Sequence, residues 1–153
     1  MLRKLLALAI AGAFLLPGAA IAAQDSHPID VGLLITAAKG LGIKFRSDGP
    51  HCAANPRLMG FFAPQEGSLT ICFKNANQNG VGPMQVLRHE VIHAAQLCYG
   101  GPLTSKDHSA EYDLDNYPLD RQRIEAEARE LAASLSELDV ARILVKACNH
   151  PQS

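Results

Sequence analysis

The chain contains no tryptophan and only three tyrosines and five phenylalanines in 153 residues. It also lacks an excess of either charge, with 14 Lys and Arg against 15 Asp and Glu. Without a basic block or stripe nothing gathers phosphates, and with so few aromatic rings there is no platform for stacked bases, so a nucleic-acid partner is excluded. No segment recurs at a period of twenty to fifty residues, which excludes a solenoid. No two cysteines stand two to four residues apart, so zinc-finger spacing is absent. After the first twenty-odd residues, no apolar run is long enough to cross a bilayer. What remains, 48% hydrophobic and 19% charged, is the composition of one ordinary soluble domain.

Residues 1–22 read as an address. Arg3 and Lys4 make a positive start, an apolar run extends from Leu5 to Leu16, and Ala20-Ile21-Ala22 offers a small-x-small cleavage site. This is the order of a secretory signal peptide. The run is short for a membrane span, and Pro17-Gly18 would break its end. No Cys follows the cleavage site to carry a lipid. The expectation is a cleaved signal and a single secreted or periplasmic domain, residues 23–153, free of the membrane. Export changes how the cysteines read. Cys52, Cys72, Cys98 and Cys148 all lie in the mature part, and an even count in a small exported domain favours disulfides. Three pairings are possible. Cys52–Cys72 with Cys98–Cys148 is preferred, and the second bridge would join the ends of two helices.

The pattern of the mature chain predicts a small α+β domain. Pro28 to Lys39 reads as a helix with Ile29, Leu33, Leu34 and Ala37 as its apolar stripe, entered at Pro28 and left at Gly40. Ile43 to Arg46 is a short strand candidate. Leu58–Ala63 and Leu69–Phe73 are strands around Pro64-Gln65-Glu66-Gly67, a hairpin signal. Asn75 to Gly82 reads as a loop, and Pro83 opens a helix to about Leu97 that stops before Gly100-Gly101-Pro102. Residues 103–117 are polar and irregular. A helix follows from Pro118, with Ile124, Ala128, Leu131 and Leu135 on one face, and a last helix spans about Glu137 to Ala147.

His89-Glu90-Val91-Ile92-His93 fits H-E-x-x-H inside the predicted helix. Four residues advance a helix by slightly more than one turn, so both imidazoles leave from one face and can share a metal. Met84, Leu87, Val91, Ala94, Ala95 and Cys98 gather on the opposite face for the core, while Gln96 joins the histidines and Glu90 flanks them. Two neutral imidazoles and a third protein ligand suit Zn²⁺ with one position left for water, whose pKa the metal lowers towards ~7. Glu90, one residue from the first ligand, is placed to act as general base and then to protonate the leaving amine.

On these residues the chain resembles the zincin metallopeptidases, over about Leu58 to Leu135. The resemblance implies a zincin-like domain: a short sheet with a hairpin edge strand, an active-site helix and downstream helices. It implies a zinc-dependent peptidase whose extended substrate pairs with an edge strand, and Ser68–Phe73 looks like that strand. Gln96 and Tyr99 stand where the metzincin extension has Gly and His, so that branch is excluded. Gluzincin-like families take the third ligand from a downstream helix. Glu125-Ala126-Glu127-Ala128-Arg129 is similar to the E-x-x-A-[DN] pattern of the CAAX-prenyl-protease-like and ImmA/IrrE-like peptidases, with Arg129 in place of Asp or Asn. The resemblance therefore implies His89, His93 and Glu125 as ligands. Glu111, which with Asp115 fits a thermolysin-like E-x-x-x-D, ranks second and Glu127 third.

The bland reading of Glu125 is a helix carboxylate paired with Arg121 or Arg129; Gln96 is a candidate for orienting a ligand, with a helix-surface amide as its bland reading. His108, Tyr112 and Tyr117 are candidates for stabilising an oxyanion. Two rival classes stand beside the peptidase. One is a non-enzymatic exported binding module on the same frame, with its metal structural or lost. The other, a di-iron bundle, needs a second E-x-x-H, which the chain does not have.

Overall fold

The computed structural model describes residues 28–150, and the expected signal segment lies outside the described residues. Six helices and a three-stranded mixed sheet make the α+β domain that the pattern predicts. In chain order they are α1 (Pro28–Gly40), β1 (Lys44–Ser47), α2 (Pro50–Ala54), β2 (Gly60–Ala63), β3 (Ser68–Ile71), α3 (Phe73–Gln78), α4 (Pro83–Tyr99), α5 (Leu119–Ser134) and α6 (Glu137–Asn149). Single 3-10 turns sit at Pro64–Glu66 and Ser109–Glu111.

The expected edge strand requires correction. The sheet order is β1-β3-β2, with β3 parallel to β1 and antiparallel to β2. Ser68–Phe73 is therefore the central strand and its continuation. All four residues of β3 are buried, Ser68 and Thr70 included, which leaves this strand no open side. The edges are β1 and β2. The hairpin turn works as expected: Pro64 starts a 3-10 turn and Gly67 ends it at φ 57, a left-handed conformation that glycine adopts without strain. Cys72 then turns the chain into α3, where a loop was expected. Buried Asn75 holds it there by donating from Nδ2 to the carbonyls of Cys52 and Leu58, both at 2.8 Å.

Helix α4 is the organising element. Gly82 enters it extended, Pro83 occupies its first turn, and Gly100 leaves it at φ 87. The N–H groups of Gly100 and Gly101 both turn back to the Gln96 carbonyl, at 2.9 and 3.0 Å. Leu87, Val91, Ala94 and Ala95 form its core face as expected, with Ile92 also fully buried. They pack with Leu34 and Ala38 of α1, Leu69 and Ile71 of β3, and Val140, Ala141 and Leu144 of α6. The stripe of α1 is turned from its expected position: Leu34 and Ala38 face inward and Leu33 is exposed. Helix α5 also departs from expectation. Its buried residues are Ala126, Ala128 and Ala132 with two carboxylates, Glu125 and Glu127, while Ile124, Leu131 and Leu135 are only half-buried. Small alanines let α5 lie close to α4, and the carboxylates are buried because α4 and the following loop supply partners.

The disulfides are Cys52–Cys72 and Cys98–Cys148, the preferred pairing. The second ties the end of α4 to the end of α6. Two bridges and no free cysteine among the described residues are the cysteine usage of an oxidising compartment. No helix among the described residues is long and apolar enough to cross a membrane. Arg88 leaves the core side of α4 for the α5–α6 junction, where its Nε donates to the Ala132 carbonyl at 2.7 Å and its guanidinium pairs with Glu137.

Candidate metal centre

His89 and His93 leave α4 towards α5, one turn apart, and Glu125 meets them from α5. His93 Nε2 lies 3.0 Å from His89 Nε2 and 3.2 Å from Glu125 Oε2, and His89 Nε2 lies 3.4 Å from Glu125 Oε1. Donors ~2.0–2.1 Å from a tetrahedral ion stand ~3.3 Å from one another. The three separations bracket that value, so two imidazole nitrogens and a carboxylate fit a divalent cation, and this donor set suits zinc.

The tautomer of His93 is set from behind. Its Nδ1 lies 2.8 Å from Gln96 Oε1, a carbonyl-type acceptor, which favours the proton on Nδ1 and leaves the lone pair of the neutral ring on Nε2. The Gln96 amide is fixed in turn, donating to the Ile124 carbonyl and to Glu127 Oε2, both at 2.9 Å. Gln96 is thus a buried bridge between α4 and α5, and not the surface amide that its bland reading suggests.

Glu127 has a different task from Glu125. Its carboxylate accepts from Gln96, from the backbone N–H groups of Leu103 and Thr104 at 2.7 Å each, and from Thr104 Oγ1 at 2.8 Å. Both oxygens are occupied in pinning the loop that follows α4, which removes Glu127 from the ligand candidates. Glu111 belongs elsewhere as well. It lies with His108 and Glu130, its Oε1 3.2 Å from His108 Nδ1, and none of the three lines the cleft beside His89. Glu111 is outside the His89–His93 group because its 3-10 turn meets α5 at Glu130, five residues beyond Glu125.

The bland partner of Glu125 is also present. Arg129 Nε donates to Glu125 Oε1 at 3.1 Å, and its guanidinium lies 5.9 and 5.6 Å from the ring centres of Tyr112 and Tyr117. The same carboxylate serves both the arginine and the histidines. Arg129 thus holds Glu125 on the oxygen that faces His89.

Burial raises the Glu125 carboxyl, but hydrogen bonds and charge from His89 and His93 outweigh it and hold the group well below the ordinary carboxylate range. For His93 burial acts downwards, and the carboxylates of Glu125 and Glu90 reverse it to a net rise. The Glu90 carboxyl is pushed up by burial, against the opposing pull of His89 and His93.

These groups line an open cleft of about 770 Å³ between α4, α5 and β2. Gly60, Phe61, Phe62 and Pro64 form one wall, so the edge facing the site is β2 and not the Ser68–Phe73 segment. Gly60 permits this approach. A Cβ there would stand 2.7 Å from Val86 Cγ1 and 3.2 Å from Glu90 Cγ. Tyr117, Ile124 and Leu97 line the cleft too. Of the three oxyanion candidates, only Tyr117 does. His108 is bound to Glu111, and the Tyr112 hydroxyl donates to Glu130 Oε2 at 3.0 Å.

Sequence reasoning left the Glu127 anchor and the Gly60 approach unassigned, whereas Arg129 was an expected partner of Glu125 and Gln96 a candidate for orienting a ligand. The signal for Gln96 is its place three residues after His93 on the same helix face, and that for Arg129 its place four residues after Glu125. No family model matches the chain, and neither a curated protein nor a solved structure matches it.

Proposed function

We propose that this protein is an exported zinc-dependent peptidase, with His89, His93 and Glu125 as zinc ligands and Glu90 as general base. The observation that carries the reading is the convergence of these four side chains in a cleft walled by an open sheet edge. Zinc held there would supply Lewis acidity, polarising a scissile carbonyl and easing loss of a proton from water.

The chain's own groups divide the remaining work. Glu90 adjoins His89 in sequence and lines the same cleft, so its carboxylate can take a proton from water and return it to the leaving amine. The outer edge of β2 offers main-chain N–H and C=O groups to an extended peptide, which gives affinity with little demand on side chains. Gln96 and Arg129 keep two ligands oriented. A purely structural metal has no use for a carboxylate beside its ligands or for an open edge, which favours a peptidase over the binding module. The disulfides and the order of residues 1–22 support a secreted or periplasmic location.

The test is Glu90→Gln in protein made in an oxidising compartment, with zinc measured by elemental mass spectrometry and cleavage measured on a peptide library. Zinc at the wild-type level with hydrolysis lost is the expected result. Wild-type hydrolysis in the variant, or no cleavage by the zinc-loaded wild type, would overturn the reading.

A further inference from the structure

One charged side chain in the cleft is unused by the chemistry above. Arg121 is exposed on α5 and lines the cleft, and its guanidinium has no hydrogen bond or ion pair among the described residues. The other two arginines on α5 are engaged. Arg123 Nη2 donates to the carbonyls of Thr104 and Ser105 at 3.1 and 3.3 Å, and Arg129 donates to Glu125.

The reason Arg121 is free lies in the site itself. Its natural helix partner is Glu125, four residues on. That carboxylate is instead committed to His89, His93 and Arg129. The other carboxylate lining the cleft is Glu90, which is buried. Arg121 is thus the one Lys or Arg lining the cleft among the described residues, with no free carboxylate there to neutralise it. Tyr117 and Ile124 beside it add apolar surface that reduces solvation of whatever docks.

A guanidinium fork matches a carboxylate in two parallel hydrogen bonds. Positions four apart on a helix place their Cβ atoms ~5–6 Å apart, and an extended peptide advances ~3.3 Å per residue. We propose that Arg121 selects peptides carrying a carboxylate one or two residues from the scissile bond, either an Asp or Glu side chain or the peptide's own C terminus. The inference rests on the peptidase reading and names the substrate class of that same site.

The experiment uses matched synthetic peptides. One set carries Asp or Glu against Asn or Gln at each position, all with amidated ends. A second set is neutral, with free or amidated C termini. Binding is measured by fluorescence anisotropy on zinc-loaded Glu90→Gln protein, and cleavage by mass spectrometry on wild type. Carboxylate peptides are expected to bind about tenfold more tightly than their neutral partners. Adding Arg121→Gln should erase that preference, and Arg121→Glu should turn it towards lysine-containing peptides. Preference in the first set assigns the subsite to an acidic side chain, and in the second to the terminal carboxylate. No preference in wild type, or a preference that survives Arg121→Gln, would overturn the proposal. An Arg121-dependent binding preference without cleavage by wild type would uphold the carboxylate subsite while refuting the peptidase reading.

Discussion

Gln96→Met isolates the support behind His93, one of the proposed metal ligands. The replacement roughly keeps the length and bulk of a side chain only 3% exposed, but removes both of its polar ends. The lost Oε1 faces His93 Nδ1 at 2.8 Å. Without it the imidazole divides between two tautomers, one of which carries its proton on the nitrogen needed for the metal. Outer partners of this kind are worth roughly 10–100-fold in metal affinity, or about 1.4–2.8 kcal/mol. The lost amide also leaves Glu127 with the two backbone donors and Thr104 Oγ1. One hydrogen bond to a buried carboxylate corresponds to about 1.5–3 kcal/mol, or roughly 5–10 °C in the melting temperature of a domain this size. Zinc affinity is read by chelator competition, and stability by thermal melting in excess chelator. Gln96→Glu separates the two effects, since it keeps an acceptor opposite His93 but sets a second carboxylate against Glu127. It should bind zinc nearly as wild type does while melting lower. A Gln96→Met protein binding zinc within about twofold of wild type would refute the tautomer argument.

Glu125→Ala should reduce zinc from about one per chain to a small fraction, whereas Glu111→Ala should leave it unchanged; elemental mass spectrometry of both variants decides this. Gly60→Ala would bring a Cβ to 3.1 Å from the Thr70 carbonyl and 2.7 Å from Val86 Cγ1, forcing β2 away from α4. A loss of about 1–3 kcal/mol is expected on thermal melting, with a larger proportional fall in kcat/KM because Glu90 is displaced as well. The Cys98–Cys148 bridge spans 50 residues and Cys52–Cys72 spans 20. The loop-entropy relation assigns them about 4 and about 3 kcal/mol, so the paired serine variant of the first should have the lower urea midpoint.

The parts of the fold legible in the sequence were those encoded locally. Pro83 and Gly100 mark the ends of α4, and the period of its apolar residues fixes which face enters the core. Spacing also placed His89 and His93 on one face, and the structure brings Glu125 to them from α5. Sheet order was not legible because it depends on pairing between distant segments. Ser68–Phe73 reads as an edge strand, yet its residues 68–71 lie between β1 and β2. The role of α5 was hidden for a related reason. Glu125 and Glu127 look like solvated helix residues until the partners that neutralise them arrive from α4 and the 103–104 backbone. Periodicity assigns apolar residues to the core and has no means of assigning a carboxylate there.

A sheet edge open to the peptide proposed above is open also to another copy of itself, the usual starting point for strand-to-strand aggregation. The two edges here limit that hazard differently. On β1 the exposed Lys44 and Arg46 put charge along the rim, where a second identical strand would meet like charge. On β2 no such charge exists between Gly60 and Ala63, and the edge is instead kept to four residues with Pro64 immediately beyond. So short a ladder gives an incoming strand few hydrogen bonds, enough to align a peptide briefly and too few to hold a polymer together. Lengthening β2 by replacing Pro64 would therefore favour self-association.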